Sequence, residues 1–214
     1  MSNRRMMFAL GLTTLAGLAS ASNAQVVSGT YNDLSGSYNG ATFNAHAVDQ
    51  VGLRTQGNVD RTVSPTGSAQ FAPGFVSAAN PADFVINLSY IPAGPGLGLG
   101  SGAFTVTDVN GVTISGLVDG FWIDGGAQVF FNGTLSAVTF SGPTFTGDVG
   151  SFSTAFGAPF LDGALSQLYL VGPGNFFTQP FADVPVNLTF QLTPAPGAAA
   201  VLGLGALVAT RRRR

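Results

Sequence analysis

A hydrolytic triad is the first chemistry that the polar side chains of this sequence could support. His46 is the single histidine, so it would have to be the general base of any Ser-His-Asp arrangement. The Gly-x-Ser-x-Gly motif that presents a nucleophilic serine in many hydrolases is absent from the sequence. The alternation of residues 42–47 places His46 on the polar side of a strand. We therefore expect a solvated surface histidine, no catalytic residue and no enzymatic activity.

The acidic residues offer a second chemistry, the carboxylate pair of a glycoside hydrolase. All ten acids are aspartates, and half of them stand beside Gly or Asn. In that setting an aspartate side chain typically hydrogen-bonds the backbone of a turn. A jelly-roll glycoside hydrolase or lyase is accordingly the third function considered for this chain.

Calcium is the metal that these side chains suit best, because it binds oxygen ligands. The candidate ligands are Asp119 and Asp124, and a second set is Asp108 with Asn110. Neither set has the Asp-x-Asp-x-Asp-Gly spacing of an EF-hand loop. A zinc site is not expected from one histidine without Cys or Glu. We expect no cofactor, with a structural calcium at Asp119 and Asp124 as the alternative.

Trp122 lies between these two aspartates and is the candidate sugar contact, since flat aromatic rings stack on pyranose faces. Five phenylalanines would extend an aromatic platform: Phe121, Phe130, Phe131, Phe176 and Phe177. Adjacent residues of a strand point to opposite faces, so the alternative is that most of these rings fill the core.

The charges are distributed unevenly along the chain. All eight basic residues are arginines, and residues 25–193 keep only Arg54 and Arg61 against ten aspartates, a net charge of −8. Such a field repels the phosphate backbone and argues against nucleic-acid partners. Without cysteine, the chain can form neither a disulfide nor a thiolate metal site.

Alternation with a period of two residues predicts antiparallel strands with one solvated face. Residues 84–90 and 186–192 show it most clearly, each with four large apolar side chains on one face. Three Asn-Gly pairs favour type I′ hairpin turns. The hairpins expected from these pairs join residues 35–38 to 41–47, 104–108 to 112–115 and 128–131 to 134–140.

The expected fold is all-β, an antiparallel β-sandwich resembling a jelly roll, in one domain over residues 25–193. Within it, residues 92–102 are so rich in glycine that they predict a long loop, and residues 164–169 favour a strand. Two segments with the features of targeting signals flank this domain: a signal helix in residues 1–24 and a short hydrophobic helix in residues 194–214.

The N-terminal segment has the layout of a secretory signal peptide. Arg4 and Arg5 form a basic region, residues 6–18 are apolar, and small residues precede a cleavage site between Ala24 and Gln25. The partners expected from this layout are the secretion translocon and signal peptidase.

The C-terminal segment combines a proline motif, an apolar stretch and a basic end. Pro194 and Pro196 precede the apolar residues 198–209, and the chain ends on Arg211, Arg212, Arg213 and Arg214. Residues 195–210 would form a helix of about 24 Å, shorter than a hydrocarbon core of about 30 Å. Such a helix suits a transient anchor with its arginines in the cytoplasm.

These residues resemble the PEP-CTERM sorting signal, in which a proline motif precedes a transmembrane helix and a basic cluster. Pro194 and Pro196 match the prolines of that signal and the four arginines match its basic end, while Ala195 replaces the usual glutamate. The resemblance implies an exosortase-like membrane transpeptidase as a partner and an association with extracellular polysaccharide.

Together these features predict an exported protein, transiently anchored in the membrane and then released to the cell surface or the extracellular matrix. Its middle domain is expected to be non-catalytic. The alternative is a carbohydrate-binding module that associates with extracellular polysaccharide.

Overall fold

The computed structural model describes residues 26–74, 84–156, 161–171 and 177–194. Within these ranges the chain consists of β-strands, turns and irregular segments. In chain order the strands are β1 (Val27–Tyr38), β2 (Thr42–His46), β3 (Asp49–Gln50), β4 (Leu53–Arg54), β5 (Gln56–Arg61), β6 (Gly67–Phe71), β7 (Phe84–Ser89), β8 (Ile91–Gly94), β9 (Leu97–Thr107), β10 (Thr113–Asp124), β11 (Gln128–Phe140), β12 (Thr144–Thr146), β13 (Ser151–Ser153), β14 (Leu161–Val171) and β15 (Phe181–Pro194).

Eight of these strands form a closed antiparallel barrel in the order β1-β2-β7-β9-β10-β11-β14-β15. The sheet closes because β15 pairs with β1, from Val27 opposite Leu192 to Tyr38 opposite Phe181. The predicted all-β class is confirmed, but the predicted sandwich or jelly roll is wrong. A strand with one solvated face has the same residue pattern in both architectures, and only the pairing of the two distant end strands separates them.

The strand β1 is shared between the barrel and a side hairpin. Its first half pairs with β5, and its second half pairs with β2. The change falls at an irregularity after Tyr31, where Asp33 has a φ of 58°. The hairpin β5–β6 continues the sheet outside the barrel, and the small β12–β13 hairpin reaches it through a bridge between Gln70 and Val149.

The inward faces of the barrel strands fill its interior, as expected for eight strands. The alternation predicted for residues 84–90 is confirmed in β7, where Phe84, Ile86 and Leu88 are fully buried. The alternation predicted for residues 186–192 is likewise confirmed, with its four apolar residues buried in β15. The strand expected at residues 164–169 is part of β14.

The hairpins predicted at two of the three Asn-Gly pairs are confirmed, but the predicted type I′ turn is wrong, because it needs a positive φ at the asparagine as well and neither Asn39 nor Asn110 has one. Asn39-Gly40 connects β1 to β2, and Asn110-Gly111 connects β9 to β10, with positive φ at both glycines. Asn132-Gly133 does not form the predicted turn, because β11 continues through it and the turn to β10 lies at residues 125–127. The predicted loop at residues 92–102 is also wrong: these residues form most of β8 and the first half of β9.

The predicted signal helix, its cleavage site at Ala24 and Gln25, and the apolar and arginine parts of the tail lie outside the described residues. Of the sorting motif, the described ranges include only Pro194, the last residue of β15.

Among the described residues, no helix is long and apolar enough to cross a membrane.

Candidate functional site

A groove of about 680 Å³ lies on the outer barrel face across β8, β9, β10 and β11. We call it the outer groove. Two rows of side chains, each running across neighbouring strands, line it. The rows are one pleat apart on the same face, a separation of about 7 Å along the strands.

The first row is polar. Asp119 of β10 lies opposite Ser101 of β9 on one side and Thr134 of β11 on the other. The Thr134 hydroxyl donates a hydrogen bond to the backbone carbonyl of Asp119 at 3.3 Å. The Asp119 carboxylate itself is exposed, and within the described part of the chain it has no hydrogen-bond or ion-pair partner. This row therefore offers two hydroxyls and one free negative charge.

The second row is aromatic and apolar at its centre. Phe121 of β10 lies opposite Leu99 of β9 and Asn132 of β11, and Leu99 pairs in turn with Ile91 of β8. The Phe121 side chain is 53% exposed, a large fraction for a phenylalanine. Isolated apolar residues are common on protein surfaces, but a contiguous row in a concavity is a feature of binding sites.

A row of three glycines separates the two rows and forms the floor of the groove. Gly120 lies opposite both Gly100 and Gly133, so three neighbouring strands carry a glycine at one level. Their missing side chains would point inward, where a Cβ atom on each glycine would lie only 2.7–2.8 Å from the Phe131 ring. The buried Phe131 ring thus packs directly beneath the backbone on which the groove is built.

Trp122, the predicted sugar contact, is fully buried inside the barrel. Its ring packs against Phe43 and Phe131, and its Nε1 donates to the Ser89 carbonyl at 3.2 Å. Because no face of the indole reaches solvent, Trp122 cannot stack on a sugar, and the predicted contact is wrong. The residue next to it, Phe121, faces outward and takes the exposed aromatic position.

The other predicted platform rings separate in the same way. Phe131 and Phe177 are buried, whereas Phe130 is half-buried on the outer face of β11. Phe176 lies outside the described residues. With Trp122, three of the five described rings fill the core, as the alternative predicted, and Phe121 and Phe130 face outward.

The structure does not bring the candidate calcium ligands Asp119 and Asp124 together. They are five residues apart on β10, which corresponds to about 16 Å along an extended strand and to opposite faces. One Asp124 oxygen accepts a hydrogen bond from the Gly126 amide at 2.8 Å, as in an Asx turn. The two carboxylates cannot ligate a single ion in this arrangement, which contradicts the predicted pair.

The second calcium candidate, Asp108, is fully buried and accepts three backbone hydrogen bonds. Its Oδ1 accepts from Asn110 and Val112, and its Oδ2 accepts from Thr146, each at 2.8 Å. These donors occupy both carboxylate oxygens, so Asp108 secures the β9–β10 turn and the end of β12. In the described residues, no group of three or more His, Cys, Asp or Glu side chains could hold a metal ion.

His46 lies half-buried on the outer face of β2, opposite Ser35 of β1. The Ser35 hydroxyl donates to Asp183 at 3.0 Å, while His46 Nδ1 lies 2.9 Å from the Asn44 side-chain oxygen. Serine, histidine and aspartate are therefore neighbours here, but the aspartate accepts from the serine instead of orienting the imidazole. In a catalytic triad the serine bonds to the histidine and the histidine bonds to the aspartate, so the arrangement here is a different one.

The outer groove was missed by sequence reasoning because its floor resembles turn chemistry. Asp119-Gly120 and Asn132-Gly133 are typical turn dipeptides, yet each places its polar side chain outward and its glycine inward within a strand. The available signal was the five-residue alternation around Gly120, in which Val118 and Trp122 are inward and Asp119 and Phe121 are outward.

Comparison with known proteins identifies no relative: no protein-family model, curated protein sequence or solved structure matches the chain.

Proposed function

We propose that this chain is an exported, non-catalytic protein of the cell surface or extracellular matrix, and that its outer groove binds a saccharide chain. The observation that carries the proposal is the exposed Phe121 ring beside the polar row of Ser101, Asp119 and Thr134. An aromatic ring covers the apolar face of a sugar, while hydroxyl and carboxylate groups bind its hydroxyls.

The described lining of the groove offers one carboxylate, Asp119. Hydrolysis of a glycosidic bond uses two carboxyl groups on either side of it. The proposal is accordingly one of binding and retention, in keeping with a matrix protein.

The experiment is a glycan array probed with the purified full-length protein, followed by titration with the glycans that bind. Replacing the ring in Phe121→Ala should weaken binding about tenfold, because stacking on an aromatic ring contributes roughly 1 kcal/mol or more. The matched control is Leu117→Ala, which removes a similarly exposed apolar side chain from the same face of β10 outside the groove lining. Absence of glycan binding, or equal binding by both variants, would contradict the saccharide proposal.

Export and processing are proposed from the terminal segments. The signal peptide ending at Ala24 would direct secretion, and the tail from Pro194 to Arg214 would be handled by an exosortase-like transpeptidase. Mass spectrometry of the cell-associated protein should find Gln25 at its N-terminus and no residues beyond about 196. A mature protein that retains Arg214 would count against processing without affecting the groove.

A further inference from the structure

The charge of the outer groove points to a particular class of saccharide. Asp119 is the charged residue of the groove lining, and both arginines of the described chain are engaged elsewhere. Arg54 pairs with Asp49 at 2.8 Å, and the buried Arg61 guanidinium donates to backbone carbonyls and lies 4.5 Å from the Phe156 ring centroid. The groove therefore presents an uncompensated negative charge beside an exposed aromatic ring.

Asp119 and Phe121 are two residues apart on the same strand, so their side chains leave the same face about 7 Å from each other. A carboxylate attracts a positive charge directly, and the face of an aromatic ring attracts one through its quadrupole. A pyranose ring is about as wide as this spacing, so a sugar over Phe121 can direct a ring substituent towards Asp119.

We propose that the outer groove selects a saccharide that carries free amino groups, with an ammonium group at Asp119 and a pyranose face on Phe121. This inference rests on the proposed function of the groove as a saccharide site. Acidic saccharides are disfavoured, because their carboxylates would meet Asp119 and the net charge of −8 of residues 25–193. A second copy of the chain is disfavoured for the same reason, since both copies carry that charge.

The experiment compares three soluble β-1,4-linked hexamers by calorimetric titration of the full-length protein: glucosamine, N-acetylglucosamine and glucose. They share one backbone and differ in the group at carbon 2. The glucosamine hexamer should bind about fivefold more tightly than the other two, the ratio expected for one partly exposed ion pair. In Asp119→Asn the three affinities should become equal.

The control variant is Asp33→Asn, which removes the same charge from β1, four strands from β10 in either direction around the barrel. Asparagine tolerates the positive φ of 58° at this position. Asp33→Asn should keep the preference for the amino sugar. If it abolishes the preference as Asp119→Asn does, the attraction is a property of the whole acidic barrel and the inference is overturned.

The two proposals fail in different ways. Equal affinity of the wild-type protein for all three hexamers overturns amino-group selection and leaves saccharide binding in place. Failure of all three to bind, together with an empty glycan array, overturns the saccharide function itself. A preference for a polyuronate over the glucosamine hexamer would also overturn the charge argument.

Discussion

At the scale of single residues, Asp108 shows how a buried charge can stabilise a chain that has few charges. Its carboxylate has no basic side chain beside it among the described residues and is satisfied by three backbone amides from two separate segments. Hydrogen bonds to an ionised acceptor are about twice as strong as neutral ones, and the donors would be left unpaired without it. Asp108 therefore ties the β9–β10 hairpin to residue 146.

Replacing Asp108 with alanine should lower the free energy of unfolding by about 3 kcal/mol or more, since several buried donors lose their acceptor at once. Chemical denaturation followed by circular dichroism measures the change. Asp108→Asn keeps one acceptor oxygen and should lose less. A loss below about 1 kcal/mol in Asp108→Ala would mean that water replaces the carboxylate and that the residue has little structural role.

Tyr90 makes the stability of the folded protein depend on pH in the alkaline range. Burial raises the pKa of the Tyr90 phenol above its usual value of 10.0, and the nearby Tyr38 raises it further. The folded state therefore favours the protonated phenol, and this contribution is complete below pH 10 and is lost as the pH rises through the raised pKa. The ring itself packs against Phe177 with centroids 4.6 Å apart.

Tyr90→Phe keeps this packing and removes the titrating group. We expect the variant to lose stability less steeply than the wild type above pH 10. The measurement is the slope of the denaturation midpoint plotted against pH. This slope does not change if the two proteins differ in stability by an amount that is the same at every pH. Identical slopes would show that Tyr90 does not contribute to the alkaline loss.

At the scale of elements, the glycine row decides the shape of the outer groove. A side chain at Gly120 would meet the backbone of Asn132 and Gly133 as well as the Phe131 ring. Backbone atoms cannot turn aside as a side chain can, so the strands β10 and β11 would have to separate. The close approach of these strands therefore depends on glycine at this position.

Gly120→Ala should destabilise the barrel by about 3 kcal/mol, at the upper end for overpacking, and should also weaken saccharide binding. The control is Gly142→Ala, whose new methyl group would have the Val112 side chain, and no backbone atom, as its nearest contact. That variant should lose about 1–2 kcal/mol, less than Gly120→Ala, and keep its affinity. Equal losses of stability and affinity in the two variants would show that the glycine row does not determine the shape of the groove.

The strands that could be predicted from the sequence are those in which apolar and polar residues alternate strictly with a period of two. Residues 84–90 and 186–192 alternate without interruption, and residues 84–89 and 186–192 are strands with the expected buried faces. Residues 92–102 were misread because glycine usually weakens a strand, whereas here it makes room for buried rings such as Trp122 against Gly100. The alternation around Gly120 groups Phe121 with the polar Asp119 and Trp122 with the apolar Val118, but it indicates these faces only if β10 runs through Asp119-Gly120, a pair that is typical of turns.

At the scale of the whole molecule, closure of the barrel depends on the two strands that are farthest apart in the sequence. Along its length β1 pairs with β15, and this seam brings Ser28 opposite Gln191. Local patterns determine each strand but not its distant partner, which is why the sequence favoured a sandwich. Closing a loop of this length costs conformational entropy, and the large buried interior offsets that cost.

The seam can be tested with a disulfide, because the chain has no cysteine that could form a competing one. Register partners in an antiparallel pair have Cα atoms about 4.5–5.5 Å apart, within the range that a disulfide spans. Ser28→Cys combined with Gln191→Cys should therefore oxidise readily. The oxidised protein should be about 3 kcal/mol or more stable than its reduced form, because the bond closes a very long loop in the unfolded chain.

The matched control combines Ser28→Cys with Thr139→Cys. Thr139 lies on the outer face of β11, which is three strands from β1 around the barrel. Oxidation should leave this second protein with free thiols and unchanged stability. If the Ser28–Gln191 pair fails to form a disulfide, or if the Ser28–Thr139 pair forms one without disrupting the fold, the two end strands do not meet and the barrel is not closed in solution.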